Sequence, residues 1–139
     1  MTDRRFALVI FDCDGVLVDS ELITSRVFTK MLNELGIAVR VAQVFEQFVG
    51  KSMAHCLEII AGLLGREVPE DFVRNYHRRI TLALHAELEA VPGIEAALDE
   101  LRTRYCVASN GSREKMQVTF DRMSDLPDLL CGSRELQPR

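Results

Sequence analysis

The run Phe6-Ala7-Leu8-Val9-Ile10-Phe11, broken at once by Asp12-Cys13-Asp14-Gly15, constrains this chain more than any other feature. A short, continuous apolar run of β-branched and aromatic residues suits a strand buried on both faces, and Asp12 interrupts it too soon for a signal peptide or a membrane span. It predicts a central parallel strand. Carboxylates and a glycine directly past the C-terminal end of such a strand stand where open α/β sheets place their ligands. Two aspartates held that close oppose each other's ionisation unless a cation neutralises them. Magnesium suits the position, because it takes a few carboxylate oxygens, keeps several waters and binds phosphate oxygens. Asp12, the main-chain carbonyl of Asp14 and one further acid from elsewhere make up the candidate metal set.

After this turn the period changes to that of helices. Ser20 is placed as an N-cap, with a stripe of Ile23, Val27, Met31 and Leu35 ending at Gly36. Further helices are predicted from Val41 to Phe48, from Ser52 to Gly65, and from Pro69 to Leu88. Val91-Pro92-Gly93 is a turn signal. Ile94, Ala97, Leu98 and Leu101 then mark a helix, Tyr105-Cys106-Val107-Ala108 a strand, and Ser109-Asn110-Gly111-Ser112 a polar strand-to-helix connection able to hold an anion on its backbone N–H groups. Met116 and Phe120 continue a helical face, and beyond Asp121 the pattern degrades.

Composition narrows the partners. A net charge of −4 without a Lys/Arg cluster gives no footprint for nucleic acid or an anionic membrane, so small solutes are expected. Cys13, Cys56, Cys106 and Cys131 stand far apart with no C-x-x-C pair, and His55, His77 and His85 share no motif. They read as packing thiols and surface imidazoles in a cytoplasmic protein. Cys13 lacks an identifiable cationic neighbour and is expected to pack beneath the site.

In order, strand, D-x-D-G-V-L-V-D-S, helical insert, V-P-G-I and a strand ending in S-N-G-S resemble the first two signatures of the haloacid dehalogenase-like phosphatases over roughly the first 120 residues. The resemblance implies a Rossmann-like α/β core from residues 1–18 and 90–139, interrupted by an all-helical cap at 19–89, with hinges near Asp19 and Val91. It implies magnesium-dependent hydrolysis of a small phosphorylated metabolite, a sugar phosphate above all. Asp12 would be the nucleophile, Asp14 the general acid and base, and Asp12 with Asp14 the metal-binding acids. Ser109, Asn110 and Gly111 would bind the phosphoryl oxygens. Gly50 and Lys51 fall where such caps present a substrate-specificity loop, although a solvated lysine explains Lys51 as well. Sugar phosphomutases share the first signature. An inactive remnant or a receiver-like phospho-acceptor is the rival from another class, and the contiguous D-x-D followed by a helical insert counts against a receiver.

The sequence also departs from the family. Complete members carry a lysine signature after the second one and a strand ending in an acidic pair, and neither is found. Lys115 lies close behind Ser112 for that lysine, and Asp121, Asp125 and Asp128 follow no buried strand. The chain is therefore expected to be a shortened, impaired member whose core is incomplete. Its first strand is expected to form an exposed apolar edge through which copies self-associate.

Overall fold

The computed structural model describes residues 6–109 and 111–123. Strand β1 (Leu8–Phe11) lies parallel to β2 (Arg104–Val107), in a register running from Leu8 opposite Arg104 to Phe11 opposite Val107. The Ala108 N–H donates to the Phe11 carbonyl at 2.9 Å and carries the pairing one step further. Parallel strands need a long crossover. Here it contains α1 (Glu21–Glu34), α2 (Val41–Phe48), α3 (Met53–Leu64), α4 (Phe72–Glu87) and α5 (Ile94–Glu100), and α6 (Arg113–Met123) follows β2. This is the α/β class that the sequence predicts. The chain divides into two compact units, Met1–Ser20 with Leu84–Arg139, and Glu21–Ala83.

Burial on both faces of β1 is not observed. Leu8 and Ile10 remain 45% and 63% exposed, alternating with half-buried Val9 and Phe11, and Phe6 before them is 69% exposed. Among the described residues β2 is the one strand paired with β1, so its other edge carries no ladder. An apolar run therefore reports burial only when other strands and helices complete both layers around it. On the covered side, Phe11 meets Tyr105 edge to face at 5.9 Å, and Leu98 and Val118 are buried.

Where the helical segment leaves and rejoins the sheet unit, the two linkers pair. Asp19 N–H donates to the Glu89 carbonyl at 3.0 Å, Val91 N–H donates to the Leu17 carbonyl at 2.9 Å, and Val18 and Ala90 form an antiparallel bridge. Leu17, Val18 and Leu88 beside this junction are almost fully buried.

The helical unit has its own core, built around Phe28, Met31, Leu32, Val44, Phe48, Cys56, Ile60 and Phe72. Phe28 is its hub, with ring centroids 5.1 Å from Phe48, 5.9 Å from Phe72 and 5.1 Å from Tyr76, all edge to face. Such pairs add to the stabilisation from burial. The buried face of α1 is Ile23, Phe28, Met31 and Leu32, rotated from the predicted stripe, in which Val27 and Leu35 are half-buried. The α2 bounds agree with the sequence reading, and α3 is capped by Ser52, whose Oγ accepts the His55 N–H at 3.3 Å. Pro69 starts a turn rather than a helix, so α4 begins at Phe72. Burial, and then the nearby Cys56, pushes the Tyr76 phenol up to about 12. Among the described residues no helix is long and apolar enough to cross a membrane.

Candidate active site

A tight loop follows β1 and is built around one acceptor. The Cys13 carbonyl receives the N–H groups of Val16, Leu17 and Val18 at 3.4, 3.0 and 3.2 Å, and Gly15 N–H returns to the Val18 carbonyl at 2.8 Å. Gly15 sits at φ 71°, a left-handed conformation that costs a residue with a Cβ and is open to glycine. The loop reverses the chain within a few residues and leaves Asp12 exposed at the carboxyl edge of the sheet. Asp12 Oδ1 accepts the Cys13 N–H at 2.7 Å.

Asp14 is held from two sides. Its Oδ1 accepts a hydrogen bond from the hydroxyl of fully buried Ser20 and an ion pair from Lys115 Nζ at 2.7 Å. Both charged side chains are partly shielded, Asp14 at 17% and Lys115 at 21% exposure. The Ser20 side chain is thus committed to Asp14, whereas the sequence placed it as a helix cap. Lys115, whose closeness to Ser112 left open in the sequence whether it stands in for the family's lysine, places its ammonium beside the acid pair. It occupies the first turn of α6, where the helix dipole disfavours a positive charge, and Asp14 supplies the compensating negative one. A Lys in the first turn of a helix that opens at the carboxyl edge of a sheet was the signal available in the sequence.

Cys13 does have a cationic neighbour, contrary to the sequence reading, yet its thiol is pushed up to about 11. Burial is the main cause, Asp14 raises it further, Lys115 opposes the shift, and Asp12 adds a smaller increase. The thiol stays protonated and inert, a packing group beneath the acids.

Ser109 follows β2 as Asp12 follows β1, and because Phe11 pairs with Val107 the two residues leave the same sheet edge on adjacent strands. Ser109 Oγ accepts the Gly111 N–H at 3.0 Å, which ties the two residues together. A Cβ on Gly111 would stand 3.1 Å from Met116 Sδ and 3.3 Å from Ser109 Oγ, so the turn has little room for a larger residue. Capping of α6 falls to Ser112, whose Oγ accepts the Lys115 N–H at 3.3 Å, and not to Ser109. Asn110 lies outside the described residues, as do Asp125, Asp128 and Cys131. Among the described residues no group of three or more His, Cys, Asp or Glu side chains could hold a metal.

Gly50 and Lys51 belong to the helical unit, just after α2. The Lys51 ammonium donates to the Gln47 carbonyl and so satisfies an open acceptor in the last turn of that helix. The side chain is exposed.

Strand, acid loop and serine turn thus lie at one carboxyl edge of the sheet. The family model described as haloacid dehalogenase-like hydrolase matches residues 9–131, and the chain belongs to this family. It is 34% identical over 137 residues to the 6-phosphogluconate phosphatase of Escherichia coli, covering 96% of this chain and 62% of that protein. Among solved structures it is similar to a conserved haloacid dehalogenase-like protein from Agrobacterium tumefaciens, with a TM-score of 0.78, 29% identity, and 88% of this chain and 55% of that one covered. A HAD family hydrolase from Deinococcus radiodurans R1, solved with bound phosphate and sodium, gives a TM-score of 0.69 at 26% identity, covering 92% of this chain and 61% of its own. The chain therefore spans less than two thirds of the length of each of these relatives.

Proposed function

We propose that this protein is a magnesium-dependent phosphomonoester hydrolase that acts on a small sugar phosphate through an aspartyl-phosphate intermediate. One observation carries the reading: Asp12 and the Ser109–Gly111 turn leave the same carboxyl edge from neighbouring parallel strands. The likeness to a 6-phosphogluconate phosphatase and to a hydrolase solved with phosphate supports the substrate class.

In the first half-reaction an Asp12 carboxylate oxygen attacks phosphorus as the ester P–O bond breaks, and Asp14 gives a proton to the departing oxygen. In the second, water attacks the same phosphorus, Asp14 takes the proton from that water, and the Asp12–phosphorus bond breaks to release phosphate. Ser109 Oγ and the Asn110 N–H bind the phosphoryl oxygens as charge redistributes over them, and the Gly111 N–H joins them by exchanging Ser109 Oγ for a phosphoryl oxygen. The Ser20 hydroxyl keeps Asp14 in place through Oδ1. Oδ2 makes no hydrogen bond among the described residues and is the oxygen available for proton exchange.

The donor chemistry fits magnesium. Asp12 offers an exposed carboxylate with one oxygen uncommitted among the described residues, and the main-chain carbonyl of Asp14 supplies a second hard oxygen. When bound there, the ion would offset the negative charge of Asp12 and the phosphoryl group. We assign residues 19–89 to a cap that presents Gly50 and Lys51 to the substrate, with hinges near Asp19 and Val91.

Loss of one charge-stabilising group at such a site costs roughly a hundred- to a thousandfold in rate, and the family's lysine and acidic-pair signatures are not found in these 139 residues. The test therefore reads the first half-reaction directly. Incubation with magnesium and a small phosphoryl donor such as acetyl phosphate should add the mass of one phosphoryl group to the peptide carrying Asp12. Hydroxylamine should remove it, and Asp12→Asn should never acquire it. Equal labelling of wild type and Asp12→Asn would rule the nucleophile out.

A further inference from the structure

The Lys115–Asp14 pair is unusual in its placement. A cation in the first turn of a helix faces the positive end of the dipole, and its alkyl stem loses conformational freedom when the head is fixed. Lys115 nevertheless occupies this position with its side chain only 21% exposed and its ammonium 2.7 Å from Asp14 Oδ1. Its own backbone is fixed as well, because the Lys115 N–H donates to Ser112 Oγ and the Met116 N–H to the Ser112 carbonyl. The ammonium is therefore anchored at the root of the helix that the phosphate-binding turn leads into. Asp14 Oδ1 receives Lys115 and Ser20 together, so the carboxylate is gripped by one charged and one neutral donor.

Two carboxylates without a partner would draw a divalent cation strongly and repel a phosphate dianion. With one ammonium built in, the site keeps one negative charge in place of two. We propose that Lys115 is a positioning residue that holds Asp14 through Oδ1 and sets the charge of the acid pair, so that magnesium and phosphate are taken up together and magnesium alone is held weakly. This rests on the magnesium and phosphate reading of the same site.

Two neutral replacements, Lys115→Met and Lys115→Gln, and the charge-preserving Lys115→Arg, test it in the full chain. Removing a unit charge a few ångströms from a bound ion at a partly screened site corresponds to roughly a three- to thirtyfold change in affinity. Calorimetric titration with magnesium chloride should show tighter magnesium binding by about that factor in both neutral variants. Phosphorus NMR titration of inorganic phosphate, at saturating magnesium, should show weaker phosphate binding in the same two. Lys115→Arg should leave both affinities within about twofold of wild type. Loss of a merely structural contact would weaken both ligands together, so opposite signs distinguish charge setting from folding damage.

Should the neutral variants bind magnesium no more tightly than wild type, the inference is overturned, whatever happens to phosphate. Wild type that takes up no magnesium, beside neutral variants that do, upholds it. If neither wild type nor the variants bind the ion, the magnesium reading of the acid pair fails and the inference fails with it. Aspartyl labelling at Asp12 is scored separately, so failure of the nucleophile assignment can be told apart from failure of the role of Lys115.

Discussion

At position 13 a single thiol lies between two carboxylates and beneath an ammonium, and burial decides the outcome. The Cys13 side chain is fully buried and its thiol is raised to about 11, because the acids and the lack of solvent outweigh Lys115. Cys56 is buried and raised as well, by desolvation against a smaller opposing effect of Lys51, whereas Cys106 is exposed. Among these three thiols iodoacetamide at pH 8 should modify Cys106 and leave Cys13 and Cys56 intact, as peptide mass spectrometry would show. Rapid labelling of Cys13 would mean that the loop opens far more than its hydrogen bonds suggest. Much of the candidate site's placement was legible at this scale: a loop carrying Asp12, Asp14 and Gly15 at the end of β1 follows from an apolar run ending in acids and a glycine. The grip on Asp14 was not, because Ser20 and Lys115 lie 6 residues beyond it and in another helix, and their hydrogen bonding depends on how the chain returns.

Among the elements, α1 shows where periodicity is enough and where it fails. The repeat of Ile23, Val27, Met31 and Leu35 identifies a helix correctly but misses its most buried ring, since Phe28 falls one position off the stripe. The decision is made by partners on α2 and α4, whose Phe48, Phe72 and Tyr76 rings all converge on Phe28. Phe28→Ala should accordingly cost about 3–5 kcal/mol of stability, read as a lower urea midpoint for the helical unit. The ion pair of Arg79 with Glu34, 2.8 Å apart and half in solvent, should matter much less. A loss under about 1 kcal/mol for Phe28→Ala would show that the aromatic cluster is not the centre of that core. Helix ends set by local chemistry, such as the Ser52 cap of α3, were readable; the start of α4 was not, because Pro69 serves as well for a turn as for a first helical residue.

At the scale of the molecule, the described part of the sheet carries a row of exposed apolar side chains. Phe6, Leu8 and Ile10 lie along one side of the first strand with 69%, 45% and 63% of their surface open, beside an edge with no strand on it among the described residues. Such an edge templates pairing with another chain. Sedimentation of the 139-residue protein should therefore depend on concentration, and Ile10→Lys should shift it toward monomer. A wild type that stays monomeric at every concentration would show that this surface is protected. Fold class came readily from the order of apolar runs and turns, while the burial of β1 did not, since it depends on layers that a single strand's composition cannot supply.

The two linkers meet at Val18 and Ala90. Neighbouring residues across an antiparallel bridge stand only about 5 Å apart, so the chain leaves and rejoins the sheet unit at one place. A helical segment of different length or sequence could be spliced there without moving the register of Phe11 against Val107. Such an exchange confined to Glu21–Ala83 would also keep Ser20, and with it the hydrogen bond to Asp14, in place.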